Sequence, residues 1–400
     1  MPFLRIALAV PLVIATAASA QTIPSVLTED DAVRIAQASR SIVALNAAQL
    51  DLARSDVERE RRWLNPAFEY TREDAGEAEQ FLTLSQSFDF SGRRGLRQRA
   101  AELRVEATQQ DVASQQLELA RLVRSEFSRA ANQQELVRAL ADWSRRIASA
   151  AETAARLQAG GEVSGYDRRR LERERIGAEA RLTAERGALV AAQRRLAGLL
   201  GVEHLGDVTL LRPEPPDIPA ETELNARIEQ RPDFLAIARR IEATTLERQA
   251  AERWRVPLFD LTAGTKRIDS ESGTIIGAGI ILPLFNRNRG ELLRANAELA
   301  MLTAQRTLLL ARARGEVSGL AAEAGELRNA SRLFREQALP TSQQLTRIAE
   351  AAYRAGEVGI LELLDAYRTA LDAEIEAAEL EQRARQAEIE LARALGEINR

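Results

Sequence analysis

The sequence predicts a mainly α-helical chain with a smaller β-sheet portion, organised as two similar halves. Aromatic residues form only 4% of the 400 residues, which is low for a β-rich globule and typical of long helices packed on one another. Apolar residues recur at steps of three and four through a long stretch without proline, as they do along a coiled-coil seam. Motifs of the first half also return in the second half at a nearly constant offset.

Composition excludes several classes of enzyme and site. The chain has no cysteine, so it forms no disulfide, thiolate metal site or cysteine nucleophile. His204 is the single histidine, so a His-based metal cluster or catalytic dyad would need a second subunit. For His204 itself, a role on the surface or in packing between the repeats is favoured over catalysis. The formal charge of −4 does not indicate the excess of basic residues that is typical of nucleic-acid-binding proteins. We therefore expect no enzyme activity, no cofactor, no metal site and no nucleic-acid partner.

The first twenty residues have the features of a secretory signal peptide. Arg5 precedes an apolar run over about 6–16, and the segment ends in Ala18-Ser19-Ala20, so cleavage is expected before Gln21. An N-terminal membrane anchor is the alternative, but the run is shorter than the ~20 residues that span a bilayer. No later segment reaches that length without charges, so insertion into a membrane would have to use β-strands.

Two copies of one structural unit follow the signal peptide. Four matching pairs support this duplication, three of them at an offset of 195 positions and one at 191. The pairs are 196–201 with 391–396, 161–163 with 356–358, Gly95 with Gly290, and 62–66 with 253–257. A proline-rich segment between the copies is expected to be an extended linker. The predicted division is therefore a signal peptide at 1–20, a first repeat at 21–207, the linker at 208–220 and a second repeat at 221–400.

Each copy is predicted to begin with a helix followed by a β-hairpin. In the first copy the helix covers 27–62, with Thr28 as its N-cap and Asp31 completing the cap. The hairpin covers 66–90, where apolar and polar residues alternate with a period of two, and its loop is expected at 72–79. In the second copy the hairpin covers 257–285, with strands at about 258–265 and 274–285.

A very long helix and a shorter returning helix complete each copy. The long helix of the first copy is predicted at about 93–159, a length on the order of 100 Å at 1.5 Å per residue. Gly160 and Gly161 end it, and a returning helix covers about 164–200. The second copy has corresponding helices at about 289–354 and 360–395, joined by a turn at 355–359. One such helical hairpin alone buries too little apolar surface to be stable, so it is expected to pack against other helices.

The number of strands constrains how the chain could enter a membrane. Two hairpins give four strands of about ten residues, the length of a tilted membrane strand, whereas membrane barrels need at least about eight strands. Two chains would supply eight strands and three chains twelve, arranged by cyclic symmetry, and the polar strand face would line a pore. The alternative is a small soluble sheet that caps a helical rod.

Several motifs together resemble the TolC-like outer-membrane efflux proteins. They are the duplicated layout, Asn65-Pro66 at a helix end, the junction Pro283-Leu284-Phe285-Asn286-Arg287-Asn288-Arg289-Gly290, and the turn from Tyr353-Arg354-Ala355-Gly356 to Leu363-Leu364-Asp365-Ala366. The junction, with Phe90-Ser91-Gly92-Arg93-Arg94-Gly95 in the first copy, looks most like the heavy-metal (CzcC-like) cation-efflux branch. The resemblance covers essentially the whole mature chain.

The resemblance implies a homotrimer whose twelve strands form a β-barrel in the outer membrane, among its lipids, and whose helices form a tunnel in the periplasm. It also implies docking onto a periplasmic adaptor (membrane fusion) protein and a proton-driven inner-membrane transporter of the resistance-nodulation-division class. The function would be the exit duct of an efflux pump. Because position 21 is Gln21, the lipid anchor of many relatives is expected to be absent.

Alternatives remain at the levels of substrate and of class. The exported substrate would be heavy-metal cations or, alternatively, drugs or other small molecules. A periplasmic coiled-coil adaptor or a structural protein would also be exported and rich in helices. The adaptor would have one helical hairpin flanked by β-rich domains, so the duplication disfavours it.

Two groups of residues are predicted to carry the function. The helix turns should form periplasmic tips that meet the adaptor, and their residues are Gly160, Gly161, Glu162, Val163, Gly356, Glu357, Val358 and Gly359. Above the second tip, Glu362 and Asp365 share a helix face, and Asp167 and Arg170 take the matching places in the first copy. The resemblance implies that the acidic pair lines a periplasmic constriction. Carboxylate rings there would favour cations and could be held shut by Arg170 of the neighbouring hairpin.

Overall fold

A computed structural model describes residues 23–75, 77–161, 163–214, 218–219, 221–269 and 271–397. The predicted signal peptide at 1–20 and the predicted tip residue Glu162 lie outside the described residues. The helices are α1 Glu29–Gln37, α2 Arg40–Arg61, α3 Arg93–Ala159, α4 Gly165–Leu200, α5 Glu221–Ile228, α6 Pro232–Glu252, α7 Arg289–Leu333, α8 Leu339–Arg354 and α9 Ile360–Leu395. The strands are β1 Val26–Thr28, β2 Ala67–Ala75, β3 Glu77–Phe88, β4 Thr209–Leu211, β5 Leu258–Ile268 and β6 Glu271–Ile281.

The long helices confirm the prediction from the apolar periodicity. Helix α3 has 67 residues, and the returning helices α4 and α9 have 36 residues each. Along α3 the predicted seam is largely buried, as Leu103, Val123 and Phe127 illustrate. In the described part of the chain, helices that combine the length and the apolarity needed to cross a membrane are absent.

The prediction of one continuous helix over 27–62 is wrong, because α1 and α2 are separate helices. Its N-cap is confirmed, since the Thr28 hydroxyl accepts the Asp31 amide and the Asp31 carboxylate caps Thr28 in return. The break falls at Ser39, whose extended backbone redirects the chain. Helix α1 buries one face in the core, whereas α2 has no buried residue, so the two segments follow different paths.

The second long helix contains an interruption that the pattern did not predict. Between α7 and α8 the residues Phe334–Ala338 form a π-helical segment. Pro340 follows at the start of α8, where its ring and its missing N–H disturb the preceding helical turn. The helical path therefore continues from Arg289 to Arg354, as expected, with a local defect above the second tip.

The two hairpins join into one antiparallel sheet in the order β2-β3-β5-β6. The predicted loop at 72–79 is wrong, because Arg72, Glu73 and Asp74 pair with Gln80, Glu79 and Ala78 within the strands. Ladder hydrogen bonds use the backbone, so polar side chains at the hairpin end do not stop the strands. The predicted strand end at 285 is also wrong: β6 ends at Ile281, just before Pro283, which has no N–H to donate.

The linker predicted to begin at 208 is only partly irregular. Strand β4 lies within it and pairs in parallel with β1, with Leu27 opposite Leu210. Both side chains are buried in a core that α1, α3 and α4 share. Residues 215–217 and 220 of the predicted linker lie outside the described residues. The start of the second half is thus anchored to the start of the first.

Candidate functional site

The first predicted tip connects α3 to α4 by a tight turn. Gly160 caps α3 by donating its N–H to the Arg156 carbonyl, and Gly161 follows with a left-handed φ of 82°. Glycine suits this position because a Cβ is disfavoured at positive φ. Ser164 then caps α4, since its hydroxyl accepts the Asp167 amide at 3.1 Å. The turn is therefore specified by its own residues.

The second predicted tip connects α8 to α9 with closely similar geometry. Gly356 has a left-handed φ of 73° and donates to the Tyr353 carbonyl, while Glu357 donates to the Ala352 carbonyl. This pair of bonds is the Schellman arrangement at a helix C-terminus. Val358 is half-buried, and Gly359 has extended backbone before α9. Both turns thus reverse the chain within five residues of the helix end.

A shared apolar cluster holds the two tips at the same end of the molecule. Leu171 of α4, Ile147 and Ala154 of α3, and Leu364 and Tyr367 of α9 belong to it. Val163 of the first tip packs against the same cluster from the turn. The two tips are therefore packed together as one unit.

The predicted constriction residues lie directly above these tips. Glu362 and Asp365 are exposed in the first turns of α9, whereas Leu363 and Leu364 between them are buried. Asp167 and Arg170 are half-buried in the first turns of α4. The two pairs occupy matching places on the two returning helices, as expected from the repeat offset.

Arg170 forms no ion pair with Glu362 or Asp365 within the described part of this single chain. The two carboxylates also have no other basic partner among the described residues. One turn further from the tips, Arg368 of α9 instead pairs with Glu174 of α4 at 2.6 Å. Burial acts to raise the pKa of Glu174, but hydrogen bonds and charge from Arg368 and Arg173 outweigh it and hold the pKa below its ordinary value. This pair links the two returning helices.

Sequence reasoning missed two further tip residues. Tyr166 and Leu361 have 70% and 50% of their surface exposed, although each follows a glycine turn in a packed helix. Their positions differ by the repeat offset of 195, so the alignment of the two copies was the signal that would have found them. Exposed apolar side chains in matching places on both tips are suited to contact another protein.

The described residues contain no group of three or more His, Cys, Asp or Glu side chains placed to hold a metal ion. His204 is exposed in the loop after α4, away from the tips. The arrangement is therefore a set of exposed carboxylates and apolar tip residues on a rigid helical end, and its chemistry is that of charge and contact.

Comparisons with known proteins agree with this architecture. The sequence model of the family described as "Outer membrane efflux protein" matches residues 224–397. The chain is 29% identical over 375 residues to the cobalt-zinc-cadmium resistance protein CzcC of Cupriavidus metallidurans, covering 87% of this chain and 85% of that protein. It is also 29% identical to the pyoverdine export outer membrane protein OpmQ of Pseudomonas putida, over 56% of this chain and 53% of that protein.

Among solved structures, CusC has the same fold. The two superpose with a TM-score of 0.77 at 19% identity, and the match covers 99% of each chain. The predicted resemblance is thereby confirmed in sequence and in fold. Residues 224–397 thus match the outer membrane efflux protein family, and the chain as a whole is similar in sequence to CzcC and in fold to CusC.

Proposed function

We propose that three copies of this chain form the exit duct of a tripartite, proton-driven efflux pump. The observation that carries the proposal is the four-stranded sheet, whose outer strands β2 and β6 each leave one edge unpaired within the described residues. Sheet edges are not left open in lipid, so β2 of one copy would pair with β6 of the next. Three copies would close a barrel of twelve strands.

The side chains of the sheet support this barrel. Phe68, Leu84, Ala263 and Ile276 form one row across all four strands, and the three larger ones have 68%, 51% and 86% of their surface exposed. Such a row is costly in water and suited to lipid. The neighbouring row on the other face is small or polar, with Ser85, Thr262 and Gly277 in register. That face would line the pore.

The helical body would form the periplasmic tunnel. Helix α3 alone extends on the order of 100 Å at 1.5 Å per residue. Helices α4, α6 and α9 pack alongside it, and α7 and α8 pack against α9. In the proposed trimer the tips Gly160 to Val163 and Gly356 to Gly359 meet the periplasmic adaptor, and through it the inner-membrane transporter of the resistance-nodulation-division class. Tyr166 and Leu361 would supply apolar contacts to the adaptor.

The constriction would lie just above the tips. Glu362 and Asp365 are exposed and have no basic partner in the described part of the chain, so threefold repetition would give two carboxylate rings. Asp167 and Arg170 of α4 would face the same narrow region. Rings of carboxylates favour cations over anions.

Heavy-metal cations are the proposed substrates. The similarity to CzcC, a cobalt-zinc-cadmium resistance protein, extends over most of both chains and supports this choice. The shorter similarity to OpmQ, a pyoverdine export protein, favours organic small molecules as the second candidate. A metal-sensitivity panel of a deletion strain separates the two, since hypersensitivity confined to metal ions supports the first.

Fractionation and native mass measurement test the duct itself. We expect the protein in the outer-membrane fraction, soluble only with detergent, and a detergent-corrected mass of three chains. A soluble periplasmic monomer would overturn the proposal. A closed assembly of two chains would contradict the trimer and the twelve-stranded barrel but keep the membrane duct.

A further inference from the structure

The helical end of the sheet carries a band of exposed arginines beside exposed aromatic residues. We define the basic collar as Arg62, Arg253, Arg255, Arg287 and Arg289, which lie at the junctions between helices and strands. All five are exposed, and none forms an ion pair with a carboxylate of the described residues. Other arginines of the helical body pair between helices, as Arg121 does with Glu390 and Arg385 with Glu29.

Ring contacts bring the junction segments together in space. Trp63 contacts Phe88 with ring centroids 6.3 Å apart, and Phe90 contacts Phe259 at 5.6 Å. The Arg94 guanidinium lies 3.8 Å from the Trp63 ring centroid, and that of Arg93 lies 4.2 Å from Trp254. Junction residues from both halves of the chain are therefore parts of one continuous belt.

The belt is apolar on the side towards the sheet. Phe285 has 99% of its surface exposed, Phe90 69% and Leu284 63%. Aromatic side chains of this kind are typical of the boundary between lipid and water. The collar arginines occupy the same junctions, where the headgroups of the lipid layer would lie if the sheet spans the membrane.

The opposite end of the sheet is more acidic. The hairpin ends expose Glu73, Asp74, Asp269 and Glu271 beside two exposed arginines, Arg72 and Arg267, and Arg72 is paired with Asp74. The collar is thus a local accumulation of arginine rather than a consequence of the arginine-rich composition alone. Some acidic residues do lie close to the collar in sequence, namely Glu60, Glu252 and Glu291, and Asp89 is neutralised by Arg93 at 2.6 Å.

We propose that the basic collar binds the phosphate headgroups of anionic phospholipid in the leaflet that faces the helical body. Guanidinium groups match phosphate oxygens in geometry and charge, and arginines at a membrane surface attract anionic lipid. The neighbouring rings would pack against the first methylene groups of the same lipid molecules. This inference rests on the proposed function, because it needs the sheet to be in the membrane.

Lipid retention by the purified protein tests the collar. The protein is reconstituted in equimolar phosphatidylcholine and phosphatidylglycerol, re-extracted in detergent, and its retained lipid is quantified by native mass spectrometry. We expect phosphatidylglycerol to be enriched over phosphatidylcholine by at least about tenfold. The variant with Arg62→Gln, Arg255→Gln, Arg287→Gln and Arg289→Gln should return to the ratio of the bulk mixture.

A matched control removes the same charge from the far end of the molecule. The variant with Arg156→Gln, Arg168→Gln, Arg169→Gln and Arg354→Gln, all exposed near the tips, should keep the enrichment. The inference would be overturned if the collar variant retained phosphatidylglycerol as strongly as the wild type, or if the control variant lost as much enrichment as the collar variant. If the collar variant does not insert into the vesicles, lipid retention by the wild-type protein is measured at low and at high salt instead. Loss of the phosphatidylglycerol enrichment at high salt supports the collar, because salt screens exposed charges. Enrichment that persists at high salt is not electrostatic and contradicts it.

The same preparation separates failure of the collar from failure of the duct. Wild-type protein that does not float with the vesicles contradicts the proposed function. Protein that floats but retains the two lipids in the bulk ratio contradicts only the collar.

Discussion

The two returning helices α4 and α9 differ in charge and packing although they share one plan. Each has 36 residues and ends at a left-handed glycine, Gly201 with φ 71° and Gly396 with φ 78°. Helix α4 carries Asp167 and Arg170 in its first turns and packs mainly against α3. Helix α9 carries Glu362 and Asp365 in its first turns and packs against α3, α7 and α8.

The difference separates what the fold requires from what the function uses. The turn glycines, the returning direction and the helix ends are alike in both helices because backbone geometry leaves little choice there. Surface charge has no such constraint, since either sign is accommodated on an exposed helix face. The charge difference between the two helices falls at matching places, where the proposed constriction lies.

The largest expected effect comes from the shared core of the tips. Leu364→Ala should destabilise the protein by about 2–5 kcal/mol, because it leaves a cavity where Leu364 is 2% exposed. Leu361→Ala, three positions earlier and half-exposed, should change stability by less than about 0.5 kcal/mol. Thermal unfolding of the solubilised protein measures both. Efflux assays should show that Leu361→Ala nevertheless reduces export, and unchanged export would remove Leu361 from the docking surface.

The turn glycines should behave alike in the two tips. Gly161→Val and Gly356→Val each place a β-branched residue at positive φ, at a cost of roughly 1–2 kcal/mol. We expect loss of efflux with the oligomer and its membrane insertion intact, as measured by native mass and fractionation. Gly165→Ala is the matched control, because the nearest atom to its new Cβ would be 3.6 Å away and its φ is not left-handed. Loss of efflux only together with loss of the oligomer would argue against docking.

The smallest effect is a difference in pH dependence between the two helices. Burial, and then the charge of Asp142, raise the pKa of Glu374 on α9 above its ordinary value of 4.5, whereas the pKa of Glu174 on α4 is lowered. A raised carboxyl pKa contributes stability below 4.5 that is lost as pH rises through the folded-state value. A lowered one contributes stability above 4.5 that is lost as pH falls through the folded-state value.

Substitutions should therefore act in opposite directions at neutral pH. Glu374→Gln should raise Tm by about 1 °C and Glu174→Gln should lower it, since only the second removes a favourable ion pair. Glu376→Gln, on the exposed side of α9, is the control and should leave Tm unchanged. Thermal scans between acidic and neutral pH measure all three. Equal shifts in the two variants would show that the environments of Glu174 and Glu374 do not differ as described.

Much of the fold was predictable because helix periodicity and helix-ending residues are local signals. The limits of α3, α4 and α9 follow from Gly160, Ser164 and Gly396 and from the apolar steps between them. The break at Ser39 and the π-helical segment before Pro340 were not predictable, because they depend on which face of each segment finds a packing partner. Strand ends were missed for a similar reason, since backbone pairing continues through polar side chains.

The candidate site was predictable only in part. The glycine turns and the positions of Glu362 and Asp365 followed from the repeat and the resemblance. The pair between Glu174 and Arg368 was missed because it joins two helices that are far apart in sequence. Exposure of Tyr166 and Leu361 likewise depends on the packing of the whole helical end. Long-range contacts of this kind leave no local pattern.

Ion selectivity in planar lipid bilayers tests the central claim most directly. The purified protein should produce discrete conductance steps with a preference for cations, because Glu362 and Asp365 would line the constriction of the proposed duct. Glu362→Gln together with Asp365→Asn should lower that preference and weaken block by multivalent cations. Absence of conductance steps, or steps whose selectivity and block are the same in the double variant, would contradict the account.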